Sequence, residues 1–273
     1  MRRAITIALV ASFGLGGFAG CASMPISGAG LVNIGAAMLP IGPVKEKEIG
    51  FGIAATVIGR YHMLNDPDLT HYVNLVGQAV AQQSIRGDEV AFHFGVLDTD
   101  DVNAFAAPGG FIFVTRGALK MMDSEAELAG VLAHEVGHVD QKHVLNGIRR
   151  SSVLKEVKDQ TQISGALLDK ISAFGTSMLF TGLSREDEMQ ADSLGVMYAA
   201  ATGYRADGLV QFLKRLEARE TADAANVKAS MDTHPPTQER IDALEREMKE
   251  EGISATTGVV AADRFRENVK LGG

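Results

Sequence analysis

Residues 124–146, SEAELAGVLAHEVGHVDQKHVLN, set the strongest constraint on how this chain folds. Ser124 is placed to cap a helix, Glu127 to complete a capping box and Gly147 to end it, so the spacing predicts one helix from Ser124 to Asn146. Leu128, Val131, Leu132, Val136 and Val139 spread apolar side chains around most of its circumference, which predicts a helix buried on nearly every side. Yet the same helix carries His134, Glu135 and His138. Two imidazoles without partners in such a place would be costly, so the surrounding fold has to give them something to bind.

His134 and His138 project one turn apart from the same face, a spacing at which two imidazole nitrogens hold one zinc ion. Glu135 lies about 100° around the helix, beside the metal position, where it suits a base acting on metal-activated water. A third ligand has to come from elsewhere. His143 follows His138 by five residues and, on a continuous helix, sits about 140° off the metal face. The segment SREDEMQAD, residues 184–192, offers a better source. Glu188 and Asp192 share one face there, and Ala191, Gly195 and Ala199 would let their helix lie close against Gly130, Ala133 and Gly137. Glu188 is the expected third ligand, with Asp192 one turn on to orient a zinc-bound histidine. Glu186 and Asp187 point elsewhere and read as a solvated face. Three protein ligands leave the fourth position open for water, which marks a catalytic site for one Zn2+.

The start of the chain reads as an export signal. Arg2 and Arg3 precede an uncharged apolar stretch, residues 4–19, that leads to GFAGC and Cys21, the one cysteine in the sequence. Small residues before a lone cysteine match a bacterial lipoprotein processing site, with residues 1–20 removed and Cys21 lipidated. Cleavage after Ala22 without lipid is one alternative, and an uncleaved anchor another, though the apolar run is short for a span. Residues 21–44 then read as lipidated cysteine and tether, 45–250 as the catalytic domain and 251–273 as a C-terminal tail. The expected location is the bacterial cell envelope, facing the periplasm. Ala22, where aspartate would signal retention, points to the outer membrane.

Helices are predicted over 45–63 and 67–83, the second with Leu69, Tyr72, Val73, Val76 and Val80 on one stripe. EVAFHFGVL and GGFIFVT read as strands, and GGFIFVT is either an interior strand or an edge on which an extended peptide adds as another strand. Further helices are expected over 163–180, 184–201, 207–220 and 237–249, the last with Ile241, Leu244 and Met248 inward. The fold class is α+β, mainly α, in one domain. A composition 46% apolar and 22% charged rules out bulk disorder. A net charge of −8 without a basic run excludes nucleic acid as the main partner.

HEVGH, SREDEMQAD and THPPTQERI, preceded by NAFAAPGGFIFVTRGAL, resemble in kind and order the zinc metallopeptidase family that includes the CAAX prenyl protease and HtpX. Within it, the chain is most similar to the bacterial periplasmic or lipoprotein members of the BepA and LoiP type. The resemblance covers roughly residues 45–249 and omits the transmembrane helices of HtpX and the prenyl protease. It implies a zincin-like fold with a small β-sheet next to the HExxH helix. It also implies zinc on His134, His138 and Glu188, Glu135 as catalytic base, and a supporting or proton-donating role for Asp192. It favours the edge position for GGFIFVT. The implied function is a zinc-dependent endopeptidase cleaving unfolded or misassembled cell-envelope proteins. Its partners would be unfolded polypeptides, the membrane through the lipid anchor and, as a further candidate, outer-membrane assembly machinery. The competing class is a chaperone-like binding module for outer-membrane proteins with little or no proteolysis, which would have no need of Glu135. His234, before Pro235 and Pro236, reads three ways: incidental at a rigid helix start, a latch on the fourth zinc position, or a donor to the developing oxyanion.

Overall fold

The computed structural model describes residues 39–155, 157–222 and 237–271, all within the unit that runs from Met38 to Gly273. The export signal, Cys21, the tether up to residue 38 and His234 lie outside the described residues. Prolines open the first two helices, α1 (Pro43–Tyr61) and α2 (Pro67–Ala81), at a position where the missing amide costs nothing. Asp66 caps α2 by accepting from the Leu69 amide at 3.0 Å. The stripe from Leu69 to Val80 is buried, as its spacing predicts.

Strands β1 (His93–Leu97), β2 (Ala104–Ala107) and β3 (Phe111–Thr115) form a sheet in the order β1-β3-β2, with β1 parallel and β2 antiparallel to β3. The expected edge role of GGFIFVT is thus corrected: it supplies the central strand, and among the described residues β2 is an edge. Gly109 and Gly110, at φ 76° and 90°, turn the chain so that β3 pairs back onto the residues just before them. Ala-Phe-Ala-Ala has no β-branched residue to announce a strand, which hid this hairpin. Along the sheet, side chains alternate between two apolar cores. Phe94, Val96, Ile112 and Val114 join α2 in one, and Phe105 and Phe113 join Ile49 and Ile53 of α1 in the other.

After the short α3 (Arg116–Met121), α4 (Glu125–Asp140) runs through the first core with every residue buried. Ser124 caps it, accepting from the Glu127 amide at 3.3 Å. The Glu127 carboxylate takes the Asp123 amide and the Ser124 hydroxyl, so the expected reciprocal box does not close on the Ser124 amide. Nor does the helix continue to Asn146. It stops at Asp140, Lys142 adopts a left-handed conformation (φ 58°, ψ 35°), and a separate helix, α5 (His143–Arg150), begins. A continuing helix would offer the Val139 carbonyl to the amide of His143. That carbonyl instead accepts from Arg86 Nη1 at 2.8 Å and from the Lys142 amide at 3.1 Å, and the Arg86 guanidinium also pairs with buried Glu46 of α1. Asp140 is anchored by the Ser84 hydroxyl, the Ile85 amide and the Tyr198 hydroxyl.

Helices α6 (Gly165–Thr181), α7 (Arg185–Thr202), α8 (Gly208–Ala222) and α9 (Thr237–Glu250) complete the surroundings of α4. A Ser184–Asp187 capping box opens α7 and Gly203, at φ 97°, closes it. Its small residues let it lie close on α4: a Cβ at Gly137 would meet the Ala191 carbonyl oxygen at 3.1 Å, and one at Gly195 the His134 amide nitrogen at 3.1 Å. Gly130, expected on the same seam, instead faces Leu209 of α8. Helix α9 buries Ile241, Leu244 and Met248, together with Arg240. The chain then packs back against the start of α4. Phe265 of α10 (Ala262–Asn268) is buried, and Arg264 pairs with Glu125. No described helix is long and apolar enough to cross a membrane.

Candidate metal centre

Helices α4 and α7 bring His134, His138 and Glu188 together, with one ligand atom from each within 4.8 Å of the others. Glu188 Oε1 stands 3.5 Å from His138 Nε2, and its Oε2 stands 3.6 Å from His134 Nε2. These separations are too long for hydrogen bonds. They are close to the roughly 3.3 Å that neighbouring ligands keep around a tetrahedral ion with metal–ligand bonds near 2.0–2.1 Å. The two Nε2 atoms face one another at 2.9 Å, with the ring planes 83° apart. Two imidazoles and a carboxylate converging on one point are the donor set of a hydrolytic metal centre with a position left open. The residues therefore fit the ion that their spacing suggests.

Each histidine is held from behind. His134 Nδ1 lies 2.8 Å from Asp192 Oδ1, which puts a proton on Nδ1 and turns the Nε2 lone pair towards Glu188. Asp192 in turn accepts from Arg240 Nε at 2.7 Å and Nη2 at 2.6 Å, and Arg240 Nη1 stands 3.5 Å from Glu188 Oε2. His138 Nδ1 meets His143 Nδ1 at 2.8 Å. That contact exists because α4 stops at Asp140. His143 stays outside the ligand group, as expected, but the reason is corrected: it does not point away along a continuous helix, and instead backs the far side of the His138 ring.

Burial opposes every charge in this cluster, and the partners decide the outcome. Burial pushes the Asp192 carboxyl up, but the Arg240 guanidinium overrides it and holds Asp192 well below the usual carboxylate range. Burial pulls Arg240 down, and the Asp192 and Glu188 carboxylates more than restore it. The His134 imidazole is lowered by burial and then raised above its ordinary value by Asp192. For His143 burial prevails and the imidazole is lowered, with Gln190 and Asp187 offsetting only part.

Glu135 is buried beside the ligands and lines the two small cavities that flank them. One, of about 40 Å³, also touches Asn103, Val131, His134, Phe212 and Arg240. The other, of about 20 Å³, touches Phe105, His138, Met178, Leu183 and Glu188. Ala104 of β2 borders both, so an edge strand, Glu135 of α4 and the ligand group adjoin. Motif spacing does not point to Arg240. Its one signal is a cation within the buried 240-244-248 stripe of α9, which calls for a buried anion.

In class, a helical domain with this donor set and an adjacent carboxylate is a metal-dependent hydrolase. The chain belongs to Peptidase family M48, a family of metallopeptidases, whose model matches residues 67–248. The beta-barrel assembly-enhancing protease of Escherichia coli (strain K12) is 27% identical over 216 residues, covering 74% of this chain and 44% of that protein. Metalloprotease YcaL of the same strain is 29% identical over 162 residues, covering 58% of this chain and 61% of that one. The mitochondrial metalloendopeptidase OMA1 of Schizosaccharomyces pombe is 29% identical over 192 residues, covering 69% and 56%. The chain thus spans less than half the length of the first of these relatives.

Proposed function

We propose that this protein is a zinc endopeptidase that cleaves unfolded or misassembled polypeptides of a bacterial cell envelope. The observation that carries this reading is the convergence of His134, His138 and Glu188 beside Glu135. A zinc ion held by those three residues would supply a Lewis acid that acidifies water and polarises a scissile carbonyl. Glu135 takes the proton of the attacking water and delivers it to the leaving amine. Asp192 keeps His134 in the tautomer that frees Nε2. Because Arg240 holds Asp192 ionised, orientation suits it better than proton donation.

Among the described residues strand β2 has one ladder partner, β3, and it lies beside Glu135, so its outer edge can receive an extended peptide as a further strand. Main-chain pairing of that kind selects unfolded segments more than it selects side-chain sequence. The envelope location is supported by the export-signal pattern that ends at Cys21 and by the relative named a beta-barrel assembly-enhancing protease. Lipidation of Cys21 would tether the protein to the outer membrane. Glu135→Gln should keep one zinc per chain and lower cleavage of an unfolded casein by about 10²–10⁴-fold, the usual worth of a general base. Normal cleavage by this variant, with its zinc content confirmed, would remove the assignment.

A further inference from the structure

We propose that His143 is a positioning residue for His138, doing through a neutral imidazole what Asp192 does for His134 through an anion. The inference rests on the zinc-site reading and extends it to a residue outside the ligand set. His138 turns Nε2 towards His134 Nε2 at 2.9 Å and Glu188 Oε1 at 3.5 Å. For Nε2 to offer a lone pair there, the ring proton must sit on Nδ1. A buried N–H needs an acceptor, and His143 Nδ1 stands 2.8 Å from it.

His143 can accept at Nδ1 only if its own proton is on Nε2. That nitrogen faces Gln190 Oε1 at 3.2 Å and Asp187 Oδ1 at 3.6 Å, both acceptors. The direction of the chain of bonds is therefore set from end to end. His143 Nε2–H donates towards α7, His138 Nδ1–H donates to His143, and His138 Nε2 is left bare. Reversal would put a proton on His138 Nε2 in the middle of the ligand group and turn a bare His143 Nε2 towards the Asp187 carboxylate. Gln190 and Asp187 sit on the same helix as Glu188, so α7 both supplies the third ligand and governs the tautomer of the second. The left-handed Lys142 makes this arrangement reachable by starting a new helix at His143.

The test uses zinc alone as the probe, with affinity measured by chelator competition. His143→Leu keeps the bulk and removes the acceptor, and should weaken Zn2+ binding about 10–100-fold, as loss of a ligand's orienting partner does. His143→Asn places Oδ1 close to where Nδ1 stands and should recover most of that affinity, while the metal-free melting midpoints report that each variant is folded. Gln190→Leu, at an exposed position, should give a smaller loss in the same direction. In the zinc-loaded wild type, long-range proton–nitrogen NMR should show His138 protonated on Nδ1 and His143 on Nε2. A proton on His143 Nδ1, wild-type affinity in His143→Leu, or an equal loss in the leucine and asparagine variants would overturn the proposal. If His134→Ala also binds zinc like the wild type, it is the ligand assignment that has failed.

Discussion

Glu125 and Glu188 are both carboxylates driven into the interior, 2% and 0% exposed, one in the first turn of α4 and the other on α7 against the middle of α4. Their neighbours treat them differently. Glu125 accepts from the Tyr72 hydroxyl at 2.8 Å, the Tyr204 hydroxyl at 2.6 Å and Arg264 Nε at 2.6 Å, with Arg264 Nη2 also in contact. Burial pushes its carboxyl up, and these donors outweigh burial and hold it below the usual range. Around Glu188, two imidazole nitrogens and a guanidinium nitrogen stand back at 3.5 to 3.6 Å. The same cost of desolvation can be met by the chain's own donors, which makes a fixed joint, or by groups disposed as ligands of a shared cation, which makes a site.

Removing the Glu188 carboxylate separates the two most sharply. Glu188→Ala should abolish tight Zn2+ binding and casein cleavage, while the metal-free protein still unfolds in one cooperative transition. A zinc affinity equal to wild type would place the third ligand elsewhere. Glu125→Ala should do the reverse, losing about 2–4 kcal/mol in urea unfolding as buried hydroxyls and an arginine lose their acceptor. Its zinc affinity, measured while folded, should be unchanged, and a parallel loss of zinc would mean that the two regions are not independent.

Acid sharpens the contrast. Glu125 titrates below its unfolded value of 4.5, so the stability it adds is complete above about pH 4.5 and is lost as pH falls through its depressed folded value. The melting midpoint of the metal-free wild type should therefore fall more steeply below pH 4.5 than that of Glu125→Gln, and parallel slopes would show that its contribution is not one of charge. The smallest effect is expected at Lys142, whose φ of 58° favours glycine. Lys142→Gly should raise unfolding stability by up to about 1 kcal/mol and leave zinc affinity intact. A net loss would mean that the lysine side chain, and not the backbone turn, sets the break.

Where a feature depends on one helix face, the sequence is an adequate guide. The four-residue spacings 134–138 and 188–192, the capping Ser124 and the apolar stripe of α9 all appear where the sequence places them. What it misses has a common origin. At the stop after Asp140, Arg86, more than fifty residues upstream, donates to the Val139 carbonyl that a continuing helix would offer to His143. The centrality of β3 depends on pairing with an alanine-rich strand of low intrinsic preference, and Arg240 matters because α9 brings it to Asp192.

By itself, then, the order of residues determines which side chains share a turn, because 3.6 residues per turn is a property of the backbone. That is enough to pair His134 with His138 and Glu188 with Asp192. It cannot determine which helix end a distant arginine will cap, which strand will find itself at an edge, or which histidine a chain break will turn towards a ligand. Those outcomes are settled only when separate elements compete for the same buried donors and acceptors, and inside a protein each of those groups has to find a partner. The metal centre needs both. The spacing of its candidate ligands is written locally, and the contacts of His134 with Asp192, of Asp192 with Arg240 and of His138 with His143 exist only in the assembled fold.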